Sequence, residues 1–329
     1  MLNYLKIIRF PNLLFIVLVQ FLMQQSVVTP ILQVYGFESI SLGLNFVLLV
    51  AATVFTAAGG YVLNDYFDVK IDAINRPEKQ IVGKAISKER AMRYYQIVTG
   101  IGLVCGLCLS YLAGSFTLAF IFIVTPGLLW FYSSNYKRQF LIGNIVTAFN
   151  TALSVLIVAI VVMAFMYKSY GNLIFETNIP RTIYGWVGGF AVFAFVLTWI
   201  REVIKDMEDE KGDREMECRT MPIKWGMGKT KIFVCVLILL TVIALFVVNK
   251  LYIPFEGTLT IRYIVIGLIV PMLVLIYLVF RAKTPSDFHQ SSTLSKFIML
   301  IGVLYCLVFY YLQAKTYGIT MFGLFLVGQ

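Results

Sequence analysis

The chain has 329 residues, 60% of them hydrophobic and only 13% charged, with a formal net charge of +10. A mean hydropathy of +0.84 excludes an ordinary soluble domain and points to an integral membrane protein. The positive charge gives no support to nucleic-acid binding, because the lysines and arginines are spread over loops between apolar runs, where membrane topology accounts for them.

In chain order, nine runs have the length and apolarity to cross a bilayer as helices: about 11–34, 42–66, 91–113, 115–133, 141–166, 182–205, 230–249, 260–281 and 296–315. The fold expected is all-α and polytopic, with one transmembrane domain over residues 1–329 and nine helices in one bundle. The first run is too long for a signal-peptide core and lacks a small-residue cleavage site, so it is expected to remain a span. Cys105 and Cys108, in the third run, form a C-x-x-C pair with no second pair to complete a metal site. With Cys235 and Cys306 they read as small apolar residues.

The loops on the side of the N-terminus hold 22 of the 27 lysines and arginines; only Lys168, Arg181, Lys250, Arg262 and Lys315 lie on the other. This bias predicts a cytoplasmic N-terminus and an external C-terminus; the membrane is expected to be a bacterial or archaeal cell membrane. Of the 17 acidic residues, all but Glu38, Glu176 and Glu256 share the basic side.

Two acidic segments dominate that side. "NDYFDVKIDAINRP" follows the second run and carries Asp65, Asp68 and Asp72; "REVIKDMEDEKGD" closes the sixth and carries Asp206, Asp209 and Asp213. The 3-then-4 spacing recurs 141 residues later at every position. If each helix runs on past the membrane surface, such residues fall within about 60° of one another and line one face. A row of carboxylates repels itself unless compensated. Mg2+, which takes one or two carboxylates and fills its shell with waters and phosphate oxygens, is the natural compensation, and two facing rows could hold a diphosphate through it.

Lys70, Arg76 and Lys79 follow the first row, while Arg201, Lys205, Lys211 and Arg214 interleave with the second, where they are expected to contact phosphate oxygens. Either row alone reads as a solvated helix end; the repeated spacing favours the metal. A cation-coupled transporter would also put carboxylates in a helical bundle, but near mid-membrane on broken helices. The middles of the second and sixth runs carry no ionisable side chain, although Gly59-Gly60 and Gly188-Gly189 leave helix interruption open. A noncatalytic assembly protein would have no need of matched spacing.

At these motifs the chain resembles the UbiA superfamily of intramembrane prenyltransferases, whose signatures are N-D-x-x-D-x-x-x-D and D-x-x-D-x-x-x-D. Asn64, Asp65, Asp68 and Asp72 match the first, and Asp206, Asp209 and Asp213 the second; "FYSSNYKR" supplies Tyr132, Ser133 and Lys137 for a third, shorter pattern. Within the superfamily it is most similar to the digeranylgeranylglyceryl phosphate synthase-like branch, through Asn75, Arg76 and Pro77 and through Arg201, Glu202, Lys205 and Gly212. It departs at Gln80 and at Val82-Gly83-Lys84, where that branch usually has a proline and then Ser-Gly-Arg.

The resemblance implies Mg2+-dependent transfer of a prenyl chain from an allylic isoprenyl diphosphate to a lipid or aromatic acceptor. The best fit is geranylgeranyl transfer to a geranylgeranylglyceryl phosphate-like acceptor; prenylation of an aromatic quinone precursor is the alternative. It implies metal binding by Asp65, Asp68, Asp206 and Asp209, with Asp72 and Asp213 helping directly or through water. Asn64, Tyr132 and Lys137 would contact the diphosphate. The expected partners are the donor, a hydrophobic or lipid acceptor and membrane lipids. Cytoplasmic loops of about 64–90 and 201–229 are expected to cap an intramembrane cavity in which Tyr61, Phe67, Tyr132 and Tyr136 could shelter a carbocation. His289, the only histidine, is expected to face solvent.

Overall fold

Hydrocarbon offers the backbone no hydrogen-bond partners, so a chain of this composition must satisfy its amides within helices. The computed structural model describes residues 2–37, 43–75 and 77–326. Among them are nine helices long and apolar enough to span: Phe10–Val34, Gly43–Phe67, Lys88–Ala113, Phe116–Ser134, Ile142–Glu176, Ile179–Glu208, Met227–Tyr252, Leu259–Arg281 and Pro285–Tyr317. They correspond one to one with the runs read from sequence.

Two spans contain wider, π-helical turns, Met23–Val28 and Tyr263–Ile269, each just before a proline, Pro30 or Pro271. A proline ring lacks the N–H and crowds the carbonyl four residues back, and a π turn absorbs both faults without breaking the helix. By contrast, the glycine pairs 59–60 and 188–189 interrupt nothing: the second and sixth spans are continuous through them.

The second span packs along the third, the fifth along the sixth, and the sixth along the ninth. One apolar cluster, including Met23, Val27, Val158, Val162, Ile183 and Phe309, fills the half of the bundle away from the motifs. On the motif side, Leu197, Ile200, Val203, Met272, Val279 and Phe288 tie the sixth, eighth and ninth spans together. A third cluster anchors the cap: Val82 and Ile86 are buried with Ile7, Leu13, Val62 and Val98. The cap is pinned further by Gln80, whose Nε2 donates to the Val69 carbonyl at 3.0 Å.

The all-α expectation needs one addition. After the ninth span, Thr320–Met321 and Phe325–Leu326 pair as a short antiparallel hairpin, held by the Tyr310 hydroxyl, which donates to the Thr320 carbonyl at 3.1 Å and accepts the Phe322 amide at 2.8 Å.

Candidate active site

The aspartate rows do not ride on uninterrupted helices. The second span ends at Phe67, and a short helix, Val69–Asn75, starts after Asp68. The sixth span ends at Glu208, and the helix Glu210–Glu215 starts after Asp209. The break falls at the middle aspartate of both motifs, so the 141-residue repeat is structural as well as sequential. Backbone bonds still bridge each break, from the Asp72 amide to the Asp68 carbonyl at 2.8 Å and from the Asp213 amide to the Asp209 carbonyl at 3.2 Å. Each row therefore keeps its helical spacing while the chain bends.

The short helices lock to one another. Asn75 Oδ1 accepts the Gly212 amide at 2.9 Å, and its Nδ2 donates to the Asp209 carbonyl at 3.3 Å. A Cβ at Gly212 would stand 2.3 Å from Asn75 Oδ1, so only glycine admits the contact. The rows thus converge, and Asp213 lies within electrostatic reach of Asp68 across the gap.

Cations and amides from other elements fill the spaces among the carboxylates. Arg9, just before the first span, places Nη2 3.0 Å from Asp65 Oδ1 with its guanidinium 5.0 Å above the Tyr61 ring. Lys137 forms an ion pair with Asp68 and donates to Asn64 Oδ1 at 3.3 Å. Asn144, in the first turn of the fifth span, donates to Asp206 Oδ2 at 2.9 Å. Lys205 sits within electrostatic reach of Asp65, Asp206 and Asp213. The Tyr132 hydroxyl bonds to Thr147 and faces Glu202, Asp68 and Asp206.

Negative charge still exceeds what these partners offset. Burial, followed by repulsion from Asp68 and Asp65, pushes the Asp72 carboxyl up to about 6. Burial and repulsion from Asp209 and Asp68 do the same to Asp213. Burial lowers Lys137 from the ordinary lysine range, against the pull of Asp68. Among the described residues, no three His, Cys, Asp or Glu side chains stand close enough to cage an ion by themselves. The donor set fits Mg2+ nonetheless: it is all oxygen, split between two rows and short of positive charge, which suits an ion that needs few carboxylates and takes phosphate oxygens for the rest.

Not every residue expected at the site is seen there. Lys70 and Lys211, equivalent in the two repeats, are exposed. Arg214 pairs outward with Glu210. Arg201 pairs with its neighbour Glu202, more than a turn before the end of the sixth span. Arg76 lies outside the described residues, as does the side chain of Lys79. Of the expected aromatic shelter, Tyr61 holds Arg9, Phe67 packs edge-on against Tyr66 and Trp130, and Tyr136 stacks on Phe131. His289 is largely exposed, as expected, but its Nδ1 lies 3.1 Å from Glu208 Oε1. Arg9 and Asn144 went unrecognised in the sequence: Arg9 resembles any topogenic cation beside a span, and Asn144 any polar residue at a helix start.

Comparison with known proteins fits this geometry. The profile of the UbiA prenyltransferase family matches residues 13–301. Digeranylgeranylglyceryl phosphate synthase of Methanothermobacter thermautotrophicus is 36% identical over 183 residues, 55% of this chain and 56% of that protein. The synthase of Methanosphaera stadtmanae is 30% identical over 78% of this chain and 85% of its own. The match thus covers little more than half of the Methanothermobacter relative, and 60% of the one from Methanobrevibacter smithii. A solved structure concerning digeranylgeranylglyceryl phosphate synthase in membranes superposes with a TM-score of 0.61 at 23% identity, covering 94% of this chain and 97% of that one. A UbiA homolog from Archaeoglobus fulgidus, bound to GPP and Mg2+, superposes with a TM-score of 0.53 at 15% identity over 93% of this chain and 99% of its own.

Proposed function

This chain belongs to the UbiA prenyltransferase family, and we propose that it transfers a geranylgeranyl group from its diphosphate to the free hydroxyl of a geranylgeranylglyceryl phosphate-like lipid. The observation that carries this reading is the convergence of two aspartate rows with one spacing, interlocked through Asn75 and Gly212. Relatives named as digeranylgeranylglyceryl phosphate synthases support the acceptor class. The transporter alternative has no comparable support once family membership is established.

Where the chain departs from that branch, the residues do structural work. Gln80 ties the cap to the Val69 carbonyl, and Val82 is buried in the cluster beneath it. The departure at these two residues thus concerns how the cap is packed.

In the reaction, the bond between the allylic carbon and the diphosphate oxygen breaks, the acceptor oxygen bonds to that carbon, and its proton leaves with pyrophosphate. Mg2+, when bound, supplies the charge that makes the diphosphate a leaving group. Asp65, Asp68, Asp72, Asp206, Asp209 and Asp213 are the residues to hold it. Lys137, desolvated and beside both Asn64 and Asp68, would offer its ammonium to phosphate oxygens of a diphosphate held between the rows. Arg9 offsets the Asp65 carboxylate in the metal-free protein. The spans keep bulk water from the cation until the acceptor reacts. Both rows and the N-terminus are assigned to the cytoplasm by the distribution of basic residues, and the C-terminus to the outside.

The test is to supply purified protein with labelled geranylgeranyl diphosphate, Mg2+ and either a glycerol phosphate lipid or an aromatic acid. A mass consistent with the doubly prenylated glycerol phosphate lipid supports the reading; product from the aromatic acid alone overturns it.

A further inference from the structure

Lys296 stands at the cytoplasmic edge of the ninth apolar run, a cation that the aspartate rows leave unused. It lies eleven residues beyond Pro285, the start of that helix, and so about 16 Å along its axis.

Three contacts set the antiparallel register of the sixth and ninth spans. Tyr305 packs against Phe190 with ring centroids 6.3 Å apart. Gly302 lies under Phe193, where a Cβ would come within 2.1 Å of the ring. At the cytoplasmic end, His289 meets Glu208. Between these points Lys296 stands level with residues 199–201 and is exposed. It is within electrostatic reach of Arg201, Lys205, Glu202 and Arg9.

Arg9 and Lys205 also serve the aspartate rows, and Arg201 is paired with Glu202, which leaves Lys296 without an ion pair of its own among the described residues. The Arg201 Nε is buried without a partner. Arg201 and Lys296 are thus two cations beside the single carboxylate of Glu202. Lys205 faces both Lys296 and the aspartate rows, but Arg201 is five residues deeper than Asp206, about 8 Å along the helix, a distance on the scale of a glycerol phosphate headgroup.

We propose that Lys296 and Arg201 form a docking point for the single phosphate of a glycerol phosphate lipid acceptor, separate from the diphosphate of the donor at the aspartate rows. The proposal rests on the prenyl-transfer reading above. It assigns a role to a residue that no sequence motif singles out, and it moves Arg201 from the donor to the acceptor. An acceptor held this way would enter with its chains in lipid and its hydroxyl toward the allylic carbon.

The full-length protein would be assayed with Mg2+ and geranylgeranyl diphosphate while geranylgeranylglyceryl phosphate is varied, in wild type, Lys296→Met and Lys296→Arg. Binding of that acceptor to metal-free protein would be followed by thermal shift. Lys296→Met is expected to raise acceptor KM about tenfold or more, the worth of one charge-assisted contact, to leave donor KM within about twofold and to reduce the acceptor's thermal shift at a fixed acceptor concentration. Lys296→Arg should restore most of the loss. Lys296→Gln replaces the methionine variant if that one fails to fold.

A rise in donor KM instead would place Lys296 in the donor site and overturn the proposal, as would unchanged constants, which fit a lysine that only anchors its helix. If wild type makes no product from any glycerol phosphate lipid, the prenyl-acceptor reading falls together with this inference. If it makes the product while Lys296→Met keeps its acceptor KM, this inference alone falls.

Discussion

Asn75 joins two halves of the polypeptide at Gly212: one amide side chain accepts the Gly212 N–H at 2.9 Å and donates to the Asp209 carbonyl at 3.3 Å. Removing it by Asn75→Ala gives up two hydrogen bonds, about 1 kcal/mol each, and frees the rows to separate. Gly212→Ala would force a methyl into the Asn75 amide, an overpacking cost of about 1–3 kcal/mol. Both variants should insert normally and lose about tenfold or more in kcat/KM. If the steric account is right, the double variant will be less impaired than the sum of the singles. Strict additivity in a double-mutant cycle, read by turnover and melting temperature, would break the proposed link.

Arg9 and Asp65 make a second prediction. In metal-free protein the guanidinium offsets the Asp65 carboxylate at 3.0 Å; with Mg2+ and diphosphate bound, that carboxylate acquires another cation. Arg9→Gln should therefore lower the melting temperature of the metal-free protein more than that of the Mg2+-diphosphate complex, because an unpaired carboxylate is costly only while nothing else neutralises it. Equal losses in both states would mean that Arg9 serves packing against Tyr61 and not charge balance.

The carboxyls of Asp72 and Asp213, each pushed up to about 6 by burial and then by neighbouring carboxylates, set a pH dependence. Both folded-state values lie above the ordinary 3.8, so protonation favours the folded metal-free protein. That contribution is complete below about 4 and disappears as pH rises through about 6. Mg2+ needs the ionised forms, so its binding must displace protons and weaken below about 6. Calorimetric titration of Mg2+ with geranylgeranyl diphosphate should show tighter binding at pH 7.5 than at pH 5.5, and protons released on binding chiefly at pH 5.5; affinity independent of pH would remove both residues from the metal set.

The spans and the two rows were legible in the sequence because each is a periodic or repeated signal: apolar runs of bilayer length, and aspartates whose spacing recurs after 141 residues. The break at Asp68 and Asp209 was not legible, since i, i+3, i+7 spacing is the same whether the helix is continuous or bent with its bridging hydrogen bonds kept. Arg9, Asn144 and Lys296 were invisible for a different reason. Each is a lone polar residue whose meaning depends on a partner more than fifty residues away, and only the packing of the spans supplies that partner. Asn75 and Gly212 could be noted as a likeness to a family branch, but their mutual contact required the fold.

Topology gives the last prediction. Ala85 is exposed in the cap between the second and third spans, and Asn172 is exposed in the 3-10 segment Gly171–Glu176 that closes the fifth span. The distribution of basic residues puts the first inside the cell and the second outside. The native thiols leave a low background for an impermeant maleimide: Cys218 is buried and its thiol is pushed up to about 11 by burial and by Asp213, which keeps it protonated, while Cys105, Cys108, Cys235 and Cys306 lie within spans. In intact cells Asn172→Cys should therefore label and Ala85→Cys should not, with Ala85→Cys becoming reactive once the membrane is opened. The reverse pattern would turn both aspartate rows to the outside, away from any cytoplasmic supply of isoprenyl diphosphate, and the proposed reaction could not proceed there.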